Sequence, residues 1–168
     1  FQGDVVCFVG ENGSGKTTLI ESLVGIIPLT TGRGEWFSEK DEPLIIRNFS
    51  GTRQKPYPFG LTLQSDGICG EEKVTERLIT ALNVSGIDCG QLEAKQILEE
   101  WGMSHRGEDR VSQLSAGLRR RLAVISGMAP AMMCETPRLV FLDEPSEGLD
   151  SFSKGVLKKW ISELSQHG

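Results

Sequence analysis

The run GENGSGKT, Gly10 to Thr17, is built on glycines and ends in a lysine followed by two threonines, Thr17 and Thr18. Glycine lets the backbone curl until successive N–H groups face inward, and such a curl is a cradle for an anion. The spacing G-x-x-x-x-G-K-[ST] points to a triphosphate. In that reading Asn12, Gly13, Ser14 and Gly15 surround the β-phosphate with donors at a helix N-terminus. Lys16 then reaches the β- and γ-phosphates, the Thr17 hydroxyl ligates Mg²⁺, and Thr18 completes the nucleotide contacts. The simpler alternative, a glycine-rich turn with a solvated lysine, does not explain why the run stands between a strand pattern and a helix pattern.

A second cluster lies in LVFLDEP, where Leu139 to Leu142 read as buried strand and Asp143 and Glu144 emerge at its carboxyl end. Ligands of α/β sheets bind there. Asp143 is suited to hold Mg²⁺ through water. Glu144 can accept the proton of an attacking water, a role worth about 10²- to 10⁴-fold in rate. An Asp-Glu pair before proline also ends many strands in solvent, but the phosphate loop upstream weighs against so plain a role. Between the clusters, QLSAGLRRRLAV opens a helix that Ser115 can cap, with Leu118, Leu122 and Ile125 as its apolar stripe.

The elements that must position these groups follow from periodicity. DVVCFVG is a nearly continuous apolar, β-branched run, which predicts a strand buried on both faces and hence a parallel sheet. KTTLIESLVGI pairs Leu19 with Leu23 and Ile20 with Val24 at helical spacing, with Pro28 as the expected stop. TTGRGEW and SGTRQKPYPFG are turn-rich and lie beside a short strand candidate, GLTLQ, whose pairing is open. From Glu71 to Met133 the pattern is helical: EKVTERLITAL, then QLEAKQILEEW with Ala94, Ile97, Leu98 and Trp101 on one face, then the Ser115 helix. SKGVLKKWISEL closes the chain as a helix with Val156, Leu157, Trp160, Ile161 and Leu164 inward.

A chain of 168 residues suits one domain with a sizeable core. Its net charge of −5, with basic residues scattered apart from Arg119 to Arg121, offers no broad positive face for nucleic acid or an acidic membrane surface. Cys7, Cys69, Cys89 and Cys134 lie far apart without a C-x-x-C pair, so reduced thiols are expected and no zinc-finger spacing exists. No apolar run reaches the roughly 18 residues of a membrane span, and no signal-peptide layout opens the chain.

Phosphate loop, LSxG and a strand ending in Asp-Glu, in that order, resemble the ATP-binding cassette (ABC) family over nearly all of the chain. The resemblance implies an α/β P-loop NTPase with a mostly parallel sheet core (1–68 and 136–168) and an inserted α-helical subdomain (69–135), truncated at both ends. LSAGL matches the family signature at Leu114, Ser115 and Gly117, with Ala116 for the usual glycine and Leu118 for the usual glutamine. The signature's Ser and Gly contact the γ-phosphate of ATP held by a second subunit. Arg119 to Arg121 are similar to the basic residues that follow the signature, and fit three solvated arginines equally well. Gln64 resembles the glutamine-loop residue that senses Mg²⁺ and the attacking water, ahead of a surface that meets the membrane subunit. SEGLD, Ser146 to Asp150, resembles the D-loop, with Gly148 permitting its turn.

The family's adenine-stacking aromatic and switch histidine are expected outside this chain, and His167 falls too early to be that histidine. The implied machine is a head-to-tail pair of ATPase subunits, identical or homologous, closed on Mg-ATP and joined to transmembrane permease subunits on the cytoplasmic face of a membrane. No nucleic-acid partner is expected. QLSAG and SQHG are also faintly similar to haem-exporter ATPases. A soluble ABC ATPase of translation or iron–sulfur cluster assembly shares every motif. Chromosome-maintenance ATPases do not fit, since only about a hundred residues, without sustained heptads, part loop from signature.

Overall fold

The computed structural model describes residues 3–36, 44–52, 59–64, 68, 70–134 and 139–167. Two compact units emerge, Val6–Tyr57 and a larger one formed by Phe1–Val5 with Pro58–Gly168.

In the first unit helix α1, Lys16–Val24, buries Ile20 and Val24. Its stop is Gly25, in the left-handed region at φ 83°, whose N–H turns back to the Ser22 carbonyl. The expected stop at Pro28 is thus reached three residues early, and a side chain at Gly25 would collide with the Arg47 guanidinium. Leu19, at helical spacing from Leu23, is exposed. Strands β1, Arg33–Trp36, and β2, Leu44–Asn48, pair antiparallel with a bulge at Gly34/Glu35. Arg47 of β2 is buried and donates to the carbonyls of Val24 and Ile46.

The run 4–10, predicted as a doubly buried strand, is a correction: it takes no strand assignment, and Val6 and Val9 are 72% and 91% exposed. A strand buried on both faces needs neighbours along its edges. Among the described residues none pairs with it.

In the larger unit β3, Phe59–Thr62, and β4, Leu139–Leu142, run parallel in register from Phe59↔Leu139 to Thr62↔Leu142. GLTLQ therefore finds its partner in the strand that leads to Asp143. β4 is half-buried along its length rather than fully buried as expected. Around this pair stand α2 (Val74–Val84), α3 (Gln91–Glu100), α4 (Ala116–Met133) and α5 (Ser151–His167). Their inward faces follow the helical period: Val74, Leu78 and Leu82, then Ala94 and Leu98, then Leu122, Ile125 and Met128 are all sealed from solvent. Trp101, just past α3, meets Trp160 of α5 edge to face, 5.1 Å between centroids. α4 lies directly on β3, because Gly60 and Gly127 remove the side chains that would hold them apart. Cys7 and Cys89 are free thiols. Cys69 lies outside the described residues.

Candidate active site

Residues 10–15 form a tight curl, with Gly13 and Gly15 at φ 82° and 94°. Gly15 is the N-cap of α1 and brings no side chain to its first N–H groups. A helix start of this kind, uncapped by a side chain, is where an anion binds. The Lys16 ammonium reaches back along the loop to the carbonyls of Gly10 and Glu11, 2.9 Å from each. Ser14 N–H closes the turn on Glu11. Asn12, Ser14 and Thr18 are exposed, and Thr17 is half-buried one residue into the helix.

The second group of residues sits where β3 and β4 end level. Asp143 N–H donates to the Thr62 carbonyl at 2.8 Å and prolongs the ladder by one bond. Asp143 is buried, and the chain then turns sharply: Glu144 has φ 46°, the left-handed region, the one such non-glycine residue among those described. Non-glycine residues held there cost roughly 1–3 kcal/mol and gather at functional sites. Gln64, two residues past β3, donates from Nε2 to Glu144 Oε2 at 3.4 Å, a long bond. Two exposed side chains that lie far apart in sequence thus meet over the carboxyl ends of parallel strands.

Ser115 caps α4, its hydroxyl oxygen accepting the Leu118 N–H at 3.3 Å. The cap uses the oxygen as acceptor and leaves the O–H as a donor. Ser115 and Gly117 are exposed at the helix tip, and a side chain at Gly117 would approach the Gly148 carbonyl. Gly148, at φ 70°, turns the Ser146–Asp150 loop as expected. Asp150 opens α5: the Ser153 N–H, at 2.8 Å, and then the Arg121 guanidinium, at 2.6 Å, hold its carboxyl below the usual carboxylate range.

Of the three arginines, Arg119 donates to the Leu114 carbonyl and Arg121 to Trp101 and Asp150. The solvated reading fails most clearly for Arg120, which is 5% exposed. Its position four before Val124 and eight before Met128, both buried, was the available signal.

Among the described residues no cluster of three or more His, Cys, Asp and Glu forms a metal cage. Mg²⁺ needs none, since it takes one or two carboxylates with phosphate and water oxygens. In the larger unit the Asp143 carboxylate and the Gln64 amide oxygen, left over once Nε2 faces Glu144, are hard donors of that kind, and in the smaller unit so is the Thr17 hydroxyl. Among the described residues no helix is long and apolar enough to cross a membrane.

The sequence profile of the ABC transporter family matches residues 1–147. The ergothioneine transport ATP-binding protein EgtV of Helicobacter pylori is 30% identical over 99% of this chain and 73% of its own length. The bacitracin transport ATP-binding protein BcrA of Bacillus licheniformis is 31% identical over 98% of this chain, which spans half of that protein. A nucleotide-free ATP-binding cassette from an ABC transporter shares the fold at TM-score 0.66 and 24% identity, covering 99% of this chain and 68% of that one. The chain belongs to the ABC transporter family and carries the family's ATP-binding, ATP-hydrolysing domain.

Proposed function

We propose that this domain is the motor of a membrane transporter. Asn12 to Thr18 hold the phosphates of ATP, with Lys16 on the β- and γ-oxygens, and Glu144 is the base that takes a proton from the attacking water. Thr17, Gln64 and Asp143 hold Mg²⁺, which when bound neutralises charge on the phosphate oxygens. Ser115 and Gly117 serve the nucleotide of a second ABC subunit, identical or homologous. Residues 1–68 and 136–168 form the nucleotide core and 69–135 the helical subdomain that meets transmembrane permease subunits at the cytoplasmic face.

The observation that carries this reading is the approach of Gln64 to Glu144 at 3.4 Å beyond the level ends of β3 and β4. A carboxylate and an amide so placed can both bond one water lying beside them and orient it for attack in line with a phosphate. The relatives named for ergothioneine and bacitracin transport favour a transporter over a soluble ATPase of translation or cluster assembly. The substrate is chosen by the membrane subunits.

The test is Glu144→Gln in the full-length protein. ATP binding stays within about threefold of wild type while turnover falls by the 10² or more that a general base contributes. Undiminished hydrolysis would place the base elsewhere.

A further inference from the structure

We propose that Arg120 is a positioning residue for hydrolysis: its guanidinium fixes the backbone that carries Gln64 and Glu144. The inference rests on the reading of Glu144 as the base.

Arg120 lies in the second turn of α4, buried, and its planar fork spans three chain segments. Nη1 donates to the carbonyls of Leu63 at 2.6 Å and Gln64 at 3.2 Å. Nη2 donates to Asp143 at 3.4 Å and Glu144 at 2.8 Å. Nε donates to Glu147 at 3.3 Å, in the turn that leads to α5. Each accepting carbonyl lies past the point where strand pairing holds the chain, since the last ladder bond is Asp143 N–H to Thr62. Beyond it the guanidinium takes over the work of the sheet.

Glu144 makes this anchoring necessary. Its left-handed backbone persists only where surroundings over-determine it. The 3.4 Å contact from Gln64 is too long to do so, whereas Arg120 grips the Glu144 carbonyl at 2.8 Å. One edge of a rigid plane holds the Gln64 side and the other the Glu144 side, so their separation is set by the guanidinium itself. Lysine, a point charge with three donors, cannot span both. The side chains that do the chemistry stay exposed while their anchor stays buried.

The experiment compares Arg120→Lys, Arg120→Met and Glu144→Gln in the full-length protein, measuring kcat, KM for ATP and melting temperature. In the Arg120 variants KM stays within about threefold and kcat falls at least tenfold, less for Lys than for Met. Added to Glu144→Gln, Arg120→Lys lowers kcat by clearly less than it does alone, because the base it positions is already gone. Met leaves no buried charge and is read if Lys does not fold. Normal kcat in a folded variant, a rise in KM alone, a multiplicative loss in the double variant, or failure of both variants to fold would each overturn the proposal. Loss in Glu144→Gln with normal kcat in Arg120→Lys sinks only this inference; turnover retained in Glu144→Gln sinks the reading of the base.

Discussion

Gly127 and Gly155 both stand inside helices, and alanine at the two should act in opposite directions. At Gly127 on α4 a Cβ would press on the Leu61 carbonyl and lie 2.6 Å from Thr62 Oγ1. Across the same contact a Cβ on Gly60 would meet the Gly127 carbonyl at 2.6 Å. Overpacking of this kind costs about 1–3 kcal/mol, and a backbone neighbour, which cannot rotate away, puts Gly127→Ala near 3. Alanine returns about 1 kcal/mol of helix propensity, leaving a net loss of about 2. At Gly155 on α5 a Cβ meets nothing within 4 Å and the position is exposed, so the same substitution should stabilise. That gain is about 1 kcal/mol. The two variants should therefore differ by about 3 kcal/mol, or roughly 6–12 °C in melting temperature at about 2–4 °C per kcal/mol. Differential scanning calorimetry of the full-length protein reads this directly. Because β3 leads into Gln64, ATPase activity should also fall in Gly127→Ala and not in Gly155→Ala. Equal melting temperatures would refute direct contact of α4 with the β3 backbone.

Ser115→Ala should lose the cap of α4, about 0.5–2 kcal/mol, whereas Ser115→Asp keeps a good cap but faces phosphate with a negative charge. Both should lose ATPase activity while only the alanine variant melts lower; an active aspartate variant would reduce Ser115 to a cap. Lys16→Ala removes charge-assisted bonds of about 1.5–3 kcal/mol each and should weaken ATP binding by about 10- to 100-fold or more in an equilibrium titration. Unchanged affinity would contradict the phosphate loop. Asp150 has its folded pKa lowered by Ser153 N–H and Arg121, so its contribution is present above the unfolded pKa and lost as pH falls through the folded one. Asn caps as well as Asp, so Asp150→Asn should be slightly less stable near pH 7, by under about 1 kcal/mol for so exposed a pair. The two proteins should converge in urea titrations as pH falls through that lowered folded pKa, below the ordinary value of about 3.9; a gap that persists once the carboxyl is protonated would mean the charge is irrelevant.

What could be read from residues alone was local. The Ser115 cap, the α3 face of Ala94, Leu98 and Trp101, and the glycine curl around Lys16 each depend on a few neighbouring positions. The position of Gln64 was legible as a strand end, but its meeting with Glu144 required the β3–β4 register, which no spacing encodes. LIIRN shows no apolar alternation that marks it as β2, since its pairing with Arg33–Trp36 is set by contacts between the two strands. For the run 4–10 apolar content alone predicted burial, and burial depends on a partner that composition does not name. Gly25 outran Pro28 because a left-handed glycine ends a helix as firmly as a missing N–H. Arg120 was hidden for a different reason: a charged letter reads as surface, and its burial rests on carbonyls supplied by three distant segments.

Sedimentation of full-length Glu144→Gln with and without Mg-ATP bears most directly on the claim that Ser115 and Gly117 complete a nucleotide site in a second subunit. A monomer is expected without nucleotide and, for a self-pairing subunit or one mixed with its homologue, a stable dimer with ATP that Ser115→Asp abolishes. A protein that binds ATP yet stays monomeric in every such mixture would contradict it.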